Sequence, residues 1–200
     1  MFDKKIDTHE KIDELLAKRW SGRAYDVNRQ VSQEDIISLL EAARWAPSCY
    51  GDEPWRYIVC DKSTNESAWD KAFSCLAEGN QSWAVNAPVL ILALANTIFS
   101  HNDNDNRWAQ YDTGAATMNL CIQASSLGLM VHQMGGFSAE KAAEIFSIPE
   151  QYTSMAMMTV GYQLAEDKIS GEMMERESSA RKRNPLAEQF FDGQWGKPIG

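Results

Sequence analysis

The sequence predicts an α+β sandwich, with helices laid on a small sheet. Three observations predict it. Segments with helical spacing are abundant, segments with strand character are few, and no strand runs into a Gly-x-Gly-x-x-Gly loop. A doubly wound α/β fold competes on element order, but the missing loop removes its nucleotide-binding signature. The order is helix, helix, strand, helix, strand, helix, strand, helix, strand, without an internal repeat.

Each element has its own signal. Thr8 can cap a first helix from His9 to Trp20, in which Ile12, Leu15, Leu16 and Trp20 keep helical spacing. Ser32 caps a second, with Asp35 three residues on in a capping-box-like arrangement and an apolar face of Ile36, Ile37, Leu39, Leu40 and Ala43. A proline-flanked loop, Ala46 to Trp55, leads to a short strand, Arg56 to Asp61. Helical pattern returns from Glu66 to Leu76 and around Trp83, and Val89 to Ala95 reads as a central strand. Asn96 to Asn106 is a polar loop. A long helix spans Trp108 to Leu127, where the small residues Gly114, Ala115, Ala116 and Ala124 would let another helix approach. Gly128 ends it. Leu129 to Met134 is a strand, Ser138 opens a helix that stops before Pro149, and Ser154 to Gly161 is the last strand.

Composition bounds the function. The 200 residues read as one domain, 1–200, with 44% hydrophobic and 24% charged residues. A net charge of −9 repels phosphate backbones and argues against nucleic acid as a partner. No apolar run reaches the ~20 residues of a membrane helix, and the N-terminus has no apolar signal core, so a cytoplasmic protein is expected. The cysteines at 49, 60, 75 and 121 form no Cys-x-x-Cys pair, and all but Cys49 read as small core residues. His9, His101 and His132 lack metal-ligand spacing. Seven tryptophans is a high count; core packing accounts for most, and interfaces or planar ligands attract the rest. The final 39 residues, from Tyr162, are polar and lack a sustained period, yet carry Phe190, Phe191 and Trp195. Two readings stand: an arm packed on a partner subunit, or a tail packed on its own domain.

Four segments carry possible chemistry. Arg19-Trp20-Ser21-Gly22-Arg23 sets two guanidinium groups and a hydroxyl at a helix end, suited to phosphate. Arg181-Lys182-Arg183 is a second basic cluster that could converge on the same dianion. Each could equally be solvated charge. Pro47-Ser48-Cys49-Tyr50-Gly51-Asp52-Glu53-Pro54-Trp55 is rigidified by its prolines and can present backbone donors. Met134-Gly135-Gly136-Phe137 lets a ligand approach the backbone after a strand, or is a plain turn.

In this order and spacing the segments resemble the FMN-dependent nitroreductase family, from about Ile12 to Trp195. RWSGR looks like its Arg-x-Ser-x-Arg/Lys segment, and EAARWAPSCYGDEPWRY like its signature loop. QYDTGAATMNLCIQASSLGL resembles its long central helix, HQMGGF its Gly-Phe segment and RKRNPLAEQFF its closing basic segment. The resemblance implies an FMN-binding α/β sandwich with a small, mainly antiparallel sheet. It implies an obligate homodimer with two interfacial sites and a domain-swapped arm, residues 162–200.

The same resemblance implies residue roles. Arg19, Arg181 and Arg183 hold the FMN phosphate, with Trp20 beside them. Ser21 and Arg23 lie toward the ribityl chain and pyrimidine edge. Pro47, Ser48, Cys49 and Gly51 reach the flavin from the other subunit. Asn80 occupies a flavin-contacting position, and the backbone of Met134, Gly135 and Gly136 approaches N5. Gly51 and Glu53 depart from the family's usual Asn and Gln, which leaves the acceptor open.

The implied reaction passes reducing equivalents from NAD(P)H through FMN to a nitroaromatic, quinone or similar small acceptor, by a ping-pong mechanism. Arg23 would stabilise the negative charge of reduced flavin. Two alternatives stay open: a member with a dedicated substrate, such as a reductive dehalogenase or FMN-dependent dehydrogenase, and a flavin-binding protein without turnover.

Overall fold

In the computed structural model, which describes residues 4, 6, 8 and 10–199, the first helix is shorter than its apolar spacing predicts. Helix α1 covers Glu14–Lys18. Its cap is Asp13, whose carboxylate accepts Leu15 N–H at 2.9 Å. Aspartate is a stronger N-cap than threonine, and it cuts the element short. His9, where the longer helix would begin, lies outside the described residues. Arg19 leaves the helix in extended conformation, so Arg19 to Arg23 is a strap, not a turn of helix.

Helix α2, Gln33–Arg44, starts where its cap predicts: Ser32 Oγ accepts Asp35 N–H at 3.0 Å. The reciprocal half of the capping box does not form. The Asp35 carboxylate instead accepts the Tyr162 hydroxyl at 3.3 Å, a tertiary partner that outcompetes the local one. Ser32→Ala should therefore cost about 1 kcal/mol, seen as a fall of a few degrees in the thermal midpoint.

Strand β1 is Trp55–Asp61. The helical stretch that follows divides into α3, Glu66–Ser74, and α4, Glu78–Ala84. Then come β2, Val89–Asn96; α5, Ala109–Ser126; β3, Met130–Met134; α6, Ala139–Phe146; and β4, Tyr152–Gly161. The four strands form one sheet in the order β1-β2-β4-β3, each neighbouring pair antiparallel. Antiparallel pairing needs no crossover helix, and it rules out the doubly wound competitor. One bulge leaves Met155 of β4 unpaired between Ala93 and Leu94 of β2.

Strand β2 is central and buried on both faces, as its unbroken apolar run requires. Leu90, Leu92 and Leu94 face a core with Trp69, Leu76, Trp83 and Met157 under α3, α4 and α6. Val89, Ile91 and Ala93 face a second core with Leu39, Ala43, Leu120 and Ala124 under α2 and α5. The small-residue stripe of α5 divides between two sides. Ala116 and Ala124 are buried, while Gly114 is exposed with open space above its Cα. Cys60, Cys75 and Cys121 are buried and unbridged, and burial pushes their thiols up, Cys60 to about 11.

The chain after β4 is more structured than its polarity suggests. Tyr25 and Gln163 form a β-bridge, flanked by Leu164 N–H to Ala24 O and Asp26 N–H to Tyr162 O, both 2.9 Å. Helix α7, Gly171–Ser178, and a short α8, Leu186–Gln189, follow. Beyond Arg181 the segment folds on itself: Phe191 bridges Pro198 and packs against Trp195 with tilted rings. Trp195 stays 88% exposed and Phe190 52%.

Candidate functional site

The two basic clusters, some 160 residues apart in sequence, meet in one pocket of about 230 Å³. Its walls carry Lys4, Arg19, Arg23, Arg176, Arg181 and Arg183, with Glu177 as the single carboxylate among the described residues, beside Trp20 and Ser21. In a chain of net charge −9, six cations against one carboxylate is a strong local inversion. The cations have different tasks. Arg181 donates to the carbonyls of Arg19 (2.9 Å), Ala17 (2.6 Å) and Lys4, so it closes the end of α1 and pins the strap. Burial, then the neighbouring charges of Arg19 and Arg183, lowers its pKa. Arg19 and Arg23 commit no guanidinium hydrogen bond to any described residue, and Arg183 gives one to Lys182 O. Trp20 is buried, whereas Ser21 is exposed at the rim.

The strap is held against the β3 edge by contacts that leave no slack. A Cβ on Gly22 would stand 2.3 Å from Met130 Sδ and 2.9 Å from both Trp20 and Glu177. His132 of β3 donates from Nδ1 to Gly22 O at 3.0 Å, and its ring packs 4.6 Å from Trp83 of α4. Burial, aided by Arg23 and Arg19, lowers its pKa, so the imidazole is neutral. The Arg23 guanidinium lies 5.8 Å over the same Trp83 ring. Strand β3, tied to the strap through His132, ends at the Gly135-Gly136 turn. There Met134 is buried and Gly135 and Gly136 are exposed. Asn80 Nδ2 and Ala77 N–H both donate to Gly136 O, at 2.9 and 3.0 Å, and a Cβ on Gly136 would meet Asn80 at 2.8 Å. The paired glycines are therefore a close-packed, stapled turn.

The Ala46–Trp55 loop stands elsewhere. It precedes β1, the opposite edge strand from β3, and it does not line the basic pocket. Within one chain the structure thus unites Arg19, Trp20, Ser21, Arg23, Arg181 and Arg183, and separately Asn80 with Met134, Gly135 and Gly136. It leaves Pro47, Ser48, Cys49 and Gly51 apart. The loop is nonetheless rigid. Asp112 of α5 accepts Cys49 N–H at 2.9 Å, and Ser48 Oγ accepts Glu53 N–H at 3.0 Å. The Asp52 carboxylate accepts Ser100 N–H and Oγ–H, at 2.9 and 2.6 Å, and Asn106 Nδ2–H at 3.3 Å. Tyr50, Gly51 and Glu53 all take positive φ, at 55°, 66° and 48°. Glycine at 51 is thus the residue with least strain there. Tyr50 packs on Phe99 and His101 yet stays 84% exposed. Among the described residues no ion pair uses the Glu53 carboxylate; Arg56 binds the Glu53 carbonyl.

Several residues of this surface carry no local signal. Lys4, Trp83, His132 and Glu177 join it only through tertiary contacts. Among the described residues no His, Cys, Asp and Glu group is placed to hold a metal ion.

Known proteins share this architecture. The model of the Nitroreductase family matches residues 16–162, which covers the strap, the loop and the sheet but stops short of Arg181 and Arg183. An uncharacterized 15.4 kDa protein from the ask 5′ region of Mycolicibacterium smegmatis is 35% identical over 154 residues, 72% of this chain and 99% of that protein. The major NAD(P)H-flavin oxidoreductase of Aliivibrio fischeri is 30% identical over 98 residues, 49% of this chain and 44% of that protein. A crystal structure described as the oxidoreductase containing FMN superposes with a TM-score of 0.87 at 31% identity, over 96% of each chain. The sheet topology, the collinear segments and these matches agree: the chain belongs to the nitroreductase family.

Proposed function

We propose that this protein is an FMN-dependent oxidoreductase that takes reducing equivalents from NAD(P)H and delivers them to nitroaromatics, quinones or similar small acceptors. The observation that carries the reading is the meeting of Arg19 and Arg23 with Arg181 and Arg183 in one pocket, while Gly135 and Gly136 stand exposed at the end of β3, the strand that His132 ties to the strap. The Arg19 and Arg23 guanidinium groups, whose donors are uncommitted to any described residue, fit a phosphate dianion, and the exposed glycine turn fits the close approach of a planar ring. The oxidoreductase containing FMN and the NAD(P)H-flavin oxidoreductase support cofactor and donor alike.

In this reading Arg19 and Arg183 hold the phosphate, and Arg181 fixes the strap that carries Arg19. Ser21 and Arg23 face the ribityl chain and the pyrimidine edge, where a cation stabilises the charge gained on reduction. When bound, FMN supplies the redox chemistry, accepting hydride from the nicotinamide and passing reducing equivalents on. Donor and acceptor use one open face in turn, which makes the kinetics ping-pong.

The working unit is a homodimer in the cytoplasm, each subunit a single domain with residues 162–200 as an arm to its partner. An apolar stripe supports this. Trp108, Tyr111 and Met118 of α5 and its N-cap are 42%, 77% and 36% exposed, beside Ile37 and Trp45 of the α2 region at 55% and 73%. Water-facing aromatic surface of that extent marks a contact face. Pro47, Ser48, Cys49 and Gly51 complete the site from the partner, consistent with their separation from the pocket in one chain. Among the described residues no helix is long and apolar enough to cross a membrane.

The decisive experiment is an absorbance spectrum before and after anaerobic NAD(P)H. A bound flavin band that bleaches and returns on adding an acceptor is expected. Colourless protein that takes up no FMN overturns the cofactor, and flavin that never bleaches overturns the reductase. The clamped, strained Tyr50–Glu53 loop favours a second reading, a member with one dedicated acceptor. A screen in which one acceptor far exceeds all others would select it.

A further inference from the structure

Glu177 breaks three local rules at once. It is a carboxylate, it is 1% exposed, and it stands in the last turn of α7, where the helix dipole disfavours negative charge. Its role lies outside its own helix. Oε1 accepts Arg23 N–H at 2.9 Å, and the neighbouring Ala24 N–H also favours the charged carboxylate. Arg23 belongs to the strap, and Ala24 follows it directly. Oε2 is buried without a hydrogen-bond partner among the described residues, packed where a Cβ on Gly22 would come within 2.9 Å. Glu177 is thus a second polar link, beside Arg181, between the C-terminal segment and the strap, in a pocket whose other charged lining residues are cations among the described residues.

We propose that Glu177 is a positioning residue that assembles the phosphate pocket, and that its negative charge links the binding of a phosphate-bearing ligand to the uptake of a proton. The inference rests on the phosphate reading of the pocket given above. A phosphate entering there adds negative charge beside a carboxylate already withdrawn from water. The two repel, and a proton on the carboxyl relieves the repulsion. Among the described residues the groups around Glu177 are Lys4 from the N-terminal segment, Arg19 and Arg23 from the strap, the Tyr25 phenol just after it, His132 from β3, and Arg176, Arg181 and Arg183 from its own segment. Neutralising Glu177 removes the carboxylate from among these cations and leaves more positive charge for the ligand. Burial already holds its carboxyl above the usual range despite those cations. The complex then binds more protons than the free protein, and affinity rises as pH falls.

The test is FMN affinity of the full chain, read from flavin fluorescence between pH 5 and 9, for the natural protein, Glu177→Gln and Glu177→Ala, with riboflavin as the phosphate-free control. FMN's own phosphate titrates in all three and cancels in the comparison. Glu177→Gln should bind FMN on the order of tenfold tighter than the natural protein at pH 8. The two should converge at low pH, and with riboflavin they should not differ. Glu177→Ala should be weaker than Glu177→Gln at every pH, because Arg23 and Ala24 lose their acceptor. Parallel pH profiles for Glu and Gln would overturn the proton link, and equal affinities for Ala and Gln would overturn the positioning role. Both of these results are read with FMN bound. Absence of FMN binding by the natural protein at any pH would overturn the phosphate reading as well.

Discussion

Arg19→Ala combined with Arg183→Ala should strip the protein of FMN. Each guanidinium supplies a charge-assisted contact worth ~1.5–3 kcal/mol, so together their loss weakens binding by roughly a hundredfold to ten-thousandfold. Neither side chain supports the fold: Arg19 commits no guanidinium donor to a described residue, and Arg183 gives one to the adjacent Lys182 carbonyl. Arg181 is the wrong choice for this experiment. It holds the carbonyls of Ala17, Arg19 and Lys4, so its removal would mix ligand loss with collapse of the strap. Flavin fluorescence titration reads the affinity, and an unchanged thermal midpoint of the flavin-free variant shows that the fold is intact. Full flavin occupancy in the double variant would refute the phosphate assignment.

Gly22→Ala should damage both the fold and the site with a single methyl group. The added carbon meets Met130 Sδ at 2.3 Å and Trp20 and Glu177 at 2.9 Å, and Met130 and Trp20 are only 3% and 7% exposed. Overpacking of this kind costs about 3 kcal/mol, a fall of roughly 6–12 °C in a domain of this size. The strap carries Arg19 and Arg23 with it, so flavin affinity should drop in the same variant. Gly79→Ala is the matched control. It lies in α4 with nothing within 4 Å of the new carbon, and alanine there should be neutral or stabilise by up to ~1 kcal/mol. Equal thermal midpoints for the two variants would show that the strap is free to move.

Where a local signal existed, the chain obeys it. Ser32 and Ser138 cap the helices they precede, Gly128 takes φ +71° at the end of α5, and the unbroken run from Val89 becomes the central strand. Where local signals competed, tertiary contacts chose. Tyr162 took the Asp35 carboxylate from its capping box, and Glu177 in the polar C-terminal stretch found its partner at Arg23, more than 150 residues away.

The order of elements, the burial of β2 and the presence of two basic clusters follow from residue type and spacing, because capping, periodicity and charge act within a few residues of each other. Chain separation hid the rest. That Arg19 and Arg181 share a pocket, that Glu177 is the carboxylate among them, and that the Ala46–Trp55 loop stands apart from it depend on which edges the strands take in the sheet. Those edges are set by packing two cores against β2 at once, a condition that no short stretch of sequence contains.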